Sequence, residues 1–213
     1  MHDSTVHTLL QGAPVGVQQV DDIEGLSAIH HPGNAAVIWH RHPLKSFQNW
    51  IDTLPPENLP SARIILRPDG VRDAVTHLCD RAGTPDCANR TRLIDDIAAL
   101  SDIFASTMRA RWLRLRLDLV TTNACRKFHV DAVQARLVCT YRGTGTQYGT
   151  GQTGSDPDRV FTVPASSPII LRGTRWPEHP ASGLLHRSPP IEGTGETRLL
   201  LVLDPVDEPE DEI

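Results

Sequence analysis

The sequence predicts an α+β protein, a helical N-terminal part followed by an antiparallel β-jelly roll. Three observations carry that prediction. Between residues 91 and 108, Ile94, Ile97, Ala98, Phe104 and Met108 recur at helical spacing, interrupted only by the small Ser101. At Trp112 the period changes, and Leu113, Leu115, Leu117 and Leu119 alternate with Arg114, Arg116 and Asp118, the mark of a half-buried strand. Beyond it, short strand-like runs follow one another with Gly-, Pro- and Ser-rich turns and no gap that fits a crossover helix, which favours a sandwich or barrel.

Residues 1–34 are polar with scattered Gly and Pro and read as an irregular N-terminal arm. Residues 35–110 read as a mixed, mainly helical segment packing on the barrel. It holds a short strand at 35–41, a helix entered through Pro43 at 43–54, a strand at 62–67, and a helix opened by Pro68 and Asp69 and closed by Gly83. The jelly-roll core spans 111–205, with strands expected at 127–131, 135–141, 159–163, 168–172, 183–187 and 197–204. The last residues, 206–213, form an acidic tail expected to be solvated.

Composition bounds the function. A net charge of −5 in 213 residues argues against a general nucleic-acid binder, which needs a basic surface to displace counterions. No apolar run reaches the roughly 18–20 residues that span a bilayer. The N-terminal residues lack a basic stretch followed by an apolar one, so the expected compartment is the cytoplasm. Four Cys in a chain large enough to bury its own core are read as buried thiols rather than a disulfide framework. Ten His, as many as Phe, Trp and Tyr combined, raise the question of metal binding.

His129 and Asp131 stand two apart in an expected strand and so project from one face. His186, in a later strand, supplies a third donor. Two imidazoles and a carboxylate form the facial triad that holds Fe(II) and leaves the opposite positions open. The structural alternative is a set of hydrogen-bonded polar residues in a cleft. Arg198 begins the most apolar strand, on one face with Leu200 and Val202; there a guanidinium facing a cavity needs an anion to offset its desolvation. Its alternative is an Arg at the strand mouth, paired with Asp or left in solvent.

The order His129-x-Asp131, His186, Arg198 resembles the iron- and 2-oxoglutarate-dependent dioxygenases, whose fold is a cupin-like double-stranded β-helix. That resemblance implies His129, Asp131 and His186 as Fe(II) ligands and Arg198 as partner of the far carboxylate of 2-oxoglutarate, with Tyr141 as a second donor to it. It also implies oxidation of a substrate, a small molecule or peptide, by hydroxylation. More narrowly, residues 125–131 (CRKFHVD), 136–146 (RLVCTYRGTGT), 183–190 (GLLHRSPP) and 198–204 (RLLLVLD) resemble a bacterial family catalogued as domain of unknown function eighteen-twenty-six.

Cys125, four residues before His129, leaves a second reading open. A thiolate beside these ligands would favour zinc, because soft sulfur suits Zn(II), and the chain would then be a non-catalytic jelly-roll protein of metal handling or sensing. Trp176 and His179 fall in a Pro-flanked segment that, with the Gly-rich stretch 143–154, is a candidate lid. The Gly-rich stretch lacks a Gly-Lys-Ser/Thr ending and leads into no helix, so it is read as a flexible loop and not a phosphate cradle. His30, His31, His40, His42 and His77 are read as surface or hydrogen-bonding residues. The basic residues Arg109, Arg111, Arg114 and Arg116 are read as a solvated strand face, with an anionic-substrate surface as the alternative. No Gly-x-Ser-x-Gly elbow supports serine hydrolysis.

Overall fold

The computed structural model describes residues 14–152, 154–177 and 183–208. In chain order, β1 (Val17–Val20), a 3-10 helix (Glu24–His30) and β2 (Ala36–Trp39) precede α1 (Lys45–Thr53), β3 (Ala62–Leu66), α2 (Val71–Arg81) and α3 (Ala88–Met108). Then come β4 (Trp112–Val120), β5 (Ala135–Arg142), β6 (Gln147–Thr150), β7 (Phe161–Thr162), β8 (Pro168–Arg172), β9 (Leu184–Arg187) and β10 (Arg198–Val206). They form a seven-stranded sheet in the order β1-β2-β8-β5-β10-β4-β3 and a three-stranded sheet in the order β7-β6-β9. The named strand pairs are antiparallel except β1 with β2.

Periodicity explains how the layers meet. In α3, Leu93, Ile97, Leu100, Phe104 and Met108 are buried, and Ser101 is accommodated in that stripe because its hydroxyl donates to the Ile97 carbonyl at 2.8 Å. The helix stops at Arg109, whose left-handed φ of 53° turns the chain into β4. Leu113, Leu115 and Leu117 of β4 and Leu199, Leu201 and Leu203 of β10 pack against the helices. Leu200 and Val202 turn the other way and meet Tyr148 and Leu184 of the smaller sheet, together with Ile169 and Val138. β10 is apolar on both faces because it is covered on both, by helices on one side and the smaller sheet on the other.

Four expectations change. The arm 1–34 is not irregular throughout, since β1 and the 3-10 helix lie within it; Ala35 and Ala36 hydrogen-bond to the Gly16 carbonyl and start the β1–β2 pairing. Residues 35–110 do more than pack on the barrel, because β2 and β3 hydrogen-bond into the larger sheet. The stretch 143–154 is no free loop: β6 lies inside it as the central strand of the smaller sheet, with Tyr148 opposite His186. Residues 127–131 form a single antiparallel bridge, His129 to His186, in place of a strand.

Candidate metal centre

His129 and His186 exchange both backbone hydrogen bonds at 3.0 Å, the closely bonded antiparallel pairing that sets two side chains side by side on one face. Their rings lie 4.6 Å apart between centroids. Past His129 the chain leaves the smaller sheet, and Asp131 is fixed by its surroundings: Thr174 N–H donates to the Asp131 carbonyl, Gly173 N–H to Gln134 and Arg175 N–H to Val133. Gly173 is required there, because a Cβ would stand 2.0 Å from the Val133 carbonyl oxygen and 2.8 Å from that of Asp131.

These supports bring three donors together. Asp131 Oδ2 lies 2.9 Å from His186 Nε2 and Oδ1 lies 3.4 Å from His129 Nε2. Neighbouring ligands of a divalent metal bound at about 2.1 Å stand about 3 Å apart, so the spacing suits one shared ion. One ligand atom from each of the three residues lies within 4.8 Å of the others, and Cys125 does not belong to this group. Cys125 is exposed. His129 Nδ1 lies 2.8 Å from the Lys127 carbonyl oxygen, which accepts a hydrogen bond from Nδ1–H and so leaves the lone pair of Nε2 free to bind a metal.

The electrostatics favour a carboxylate at the centre. Burial alone would push the Asp131 carboxyl up, but hydrogen bonds to His129 and His186 and the charges of His186 and Arg136 hold it well below the usual carboxylate range. His129 is raised by its contact with Asp131, against burial. Arg136 Nη1 reaches Asp131 Oδ1 at 2.5 Å while its Nε and Nη2 fork onto Asp204 at 2.6 and 2.8 Å. Sequence reading missed Arg136 and Asp204. Their signal was a pair of opposite charges inside two largely apolar strands, β5 and β10, whose other charges, Arg142 and Arg198, stand at strand ends.

Arg198 is fully buried. Its Nε donates to the Thr144 carbonyl at 2.6 Å, whereas Nη1 and Nη2 are buried without a partner among the described residues. Burial lowers its pKa to about 10, with the charge of Glu196 opposing. Gly143, at φ 78°, lets the loop pass: a Cβ there would meet Glu196 Oε1 at 2.7 Å and the Arg198 side chain at 2.9 Å.

Tyr141 does not join this group. Alternation along β5 puts its ring with Leu137 and Cys139 in the helix-side core, and its hydroxyl donates to Asp96 Oδ2 at 2.6 Å. That face is opposite the one shared by Leu200 and Val202. Asp96 is also forked by Arg41, whose Nη2 lies 3.5 Å from Cys139 Sγ. Trp176 is likewise no lid; it is buried in the helix-side core, with Arg172 4.4 Å from its ring centre and the His30 ring, tilted to it, 5.4 Å away. His179 lies outside the described residues. Among the other His, His30 Nε2 contacts the Thr107 carbonyl and His40 Nε2 contacts Gln19. Arg114 and Arg116 are half-buried near Asp204 rather than solvated.

Two facing sheets with a two-His, one-carboxylate cluster at their edge define the class: a β-sheet protein built around a candidate mononuclear metal site. Residues 20–204 match the family described as "Protein of unknown function (DUF1826)", and the chain belongs to that family. No curated protein matches the sequence. Among solved structures the fold is similar to that of dioxygenase for auxin oxidation 1 from Arabidopsis thaliana in its 2-oxoglutarate complex. The TM-score is 0.52 at 10% identity, over 93% of this chain and 97% of that one. The dioxygenase for auxin oxidation of rice is similar with TM-score 0.51 and 10% identity, over 92% of this chain and 84% of that one. Among the described residues no helix is long and apolar enough to cross a membrane.

Proposed function

We propose that this protein is a non-haem Fe(II)- and 2-oxoglutarate-dependent oxygenase that hydroxylates a small-molecule or peptide substrate in the cytoplasm, with neither nucleic acid nor membrane as partner. The carrying observation is the sequestered Arg198 guanidinium, whose two terminal nitrogens lack any acceptor among the described residues. A buried cation in that state is costly, and a carboxylate relieves the cost with a two-pronged hydrogen bond. On this reading the four strands β8-β5-β10-β4 and the opposing set β7-β6-β9 with the His129 bridge are the two halves of a double-stranded β-helix.

His129 Nε2, His186 Nε2 and one Asp131 oxygen would hold the iron. When bound, iron would supply the activation of dioxygen, one oxygen atom going to hydroxylate a substrate C–H bond and the other into succinate as 2-oxoglutarate loses carbon dioxide. Arg198 binds the far carboxylate of 2-oxoglutarate and orients it, and the apolar residues Leu200 and Val202 beside it exclude water. Lys127 fixes the tautomer of His129 through its carbonyl, and Arg136 holds the second Asp131 oxygen.

Anaerobic addition of Fe(II) and then 2-oxoglutarate tests the assignment. A visible charge-transfer band is expected, absent in His129→Ala and needing about tenfold more 2-oxoglutarate or worse in Arg198→Met, as for loss of a charge-assisted bond. Tight zinc binding that 2-oxoglutarate leaves unchanged would instead favour the metal-handling reading, which Cys125 no longer supports as a ligand.

A further inference from the structure

The chain is acidic overall, yet residues 111–136, which carry two of the three candidate ligands, hold six basic residues against two acidic ones. The fold concentrates that charge. Register sets Arg63 of β3 opposite Arg116 of β4, Arg114 opposite Asp204 of β10, and Arg116 opposite Val202, so these side chains share the face of the larger sheet that looks toward the metal centre. Arg136 joins them through Asp204 and connects them directly to Asp131.

Arg116 is the residue that this arrangement leaves unsatisfied. Its nearest carboxylates, Asp204 at 3.7 Å and Asp118 at 3.8 Å, are beyond hydrogen-bonding distance. The Arg136 fork holds both Asp204 oxygens at 2.6 and 2.8 Å, closer than Arg116 comes to either. The Arg116 Nε is buried with no partner, and no other hydrogen bond reaches the side chain among the described residues. Burial and then the charge of Arg136 lower its pKa, opposed by Asp204 and Asp118, with Arg63 adding to the repulsion. A half-buried guanidinium crowded by like charges is a binding position for an anion.

We infer that Arg116, with Arg63 across the strand pair, forms an oxyanion site for the substrate: the substrate is a small molecule carrying a carboxylate or phosphate, held on the β3–β4 face beside the metal centre. The word substrate rests on the oxygenase reading; the anion site itself does not.

The test therefore needs no metal. Equilibrium dialysis of the full chain against radiolabelled inorganic phosphate is expected to give saturable binding that weakens about tenfold or more in Arg116→Gln, as expected for a lost charge-assisted bond. A smaller loss is expected in Arg63→Gln, an exposed edge-strand position where folding is not at stake, and none in Arg67→Gln, whose exposed side chain lies beside Asp69. Competition by acetate distinguishes the sources: acetate displacing phosphate at similar concentration indicates a carboxylate, and poor displacement indicates a phosphate. Absence of saturable binding, or binding lost in Arg198→Gln and untouched in Arg116→Gln and Arg63→Gln, would overturn the inference. Failure of the Fe(II) and 2-oxoglutarate band with phosphate binding intact would remove the oxygenase reading and leave the anion site standing.

Discussion

Single side chains separate ligand binding from stability at this centre. Among the described residues Arg198 is an interior cation with no anion in hydrogen-bond contact, so Arg198→Met is expected to leave the melting temperature of the ligand-free protein unchanged or raised, while it weakens 2-oxoglutarate binding. A loss of stability would mean that the guanidinium is structural. Tyr141 has the reverse profile. Tyr141→Phe removes a hydrogen bond to Asp96 and should cost about 1–2 kcal/mol by chemical denaturation, with 2-oxoglutarate affinity unaltered. Cys139 supplies a pH dependence. Burial pushes its thiol up to about 12 from 9.0, with Arg41 opposing. The unfolded thiol therefore ionises first, and its contribution to stability is intact below pH 9 and lost as pH rises toward 12. Between pH 8 and pH 10 this amounts to about 1.4 kcal/mol, and urea melts of Cys139→Ala should lack that decline.

At the scale of elements, the centre depends on one loop braced by another. Residues 131–134 carry no ladder of their own and are held by Gly173, Thr174 and Arg175 just after β8. Gly173→Ala inserts a methyl against two carbonyls, so it is expected to displace Asp131 and abolish metal binding while the sheets, read by far-ultraviolet circular dichroism, persist. Unchanged metal affinity in that variant would show that the brace is dispensable. This dependence also explains what the sequence revealed. β4 was legible because Leu113, Leu115 and Leu117 face the helices while Arg114 and Arg116 do not, and α3 because its buried stripe repeats every three to four residues. β6 was hidden because its residues, Gln147, Tyr148, Gly149 and Thr150, resemble a turn by composition and become a strand only through β7 and β9. The reading of Tyr141 failed for another reason: its role came from a family resemblance, whereas alternation along β5 puts it with Leu137 and Cys139 on the helix side.

For the whole molecule, the arrangement puts the three candidate ligands and Arg198 on different layers. His129 and His186 belong to the smaller sheet, Asp131 to the connection out of it, and Arg198 to the start of β10, an interior strand of the larger sheet. The His-x-Asp pair and the later His were legible because ligand chemistry restricts residue type. Arg136 and Asp204 were not, because a buried ion pair restricts only charge, and its partners meet through a strand order that a linear sequence does not display. An ion shared by His129, Asp131 and His186 fastens the smaller sheet to the connection, and 2-oxoglutarate in contact with Arg198 then ties both to the larger sheet. Stability should therefore rise in two steps. At about a hundredfold excess over its dissociation constant, Fe(II) alone should add about 2.7 kcal/mol. For a chain of this size that corresponds to a melting temperature about 5–10 °C higher. Addition of 2-oxoglutarate under anaerobic conditions should add a second increment, present only when metal is bound. His129→Ala should lose both increments, and Arg198→Met should keep the first and lose the second. A second increment that survives in Arg198→Met would place the carboxylate elsewhere, and one that survives in His129→Ala would detach it from the metal.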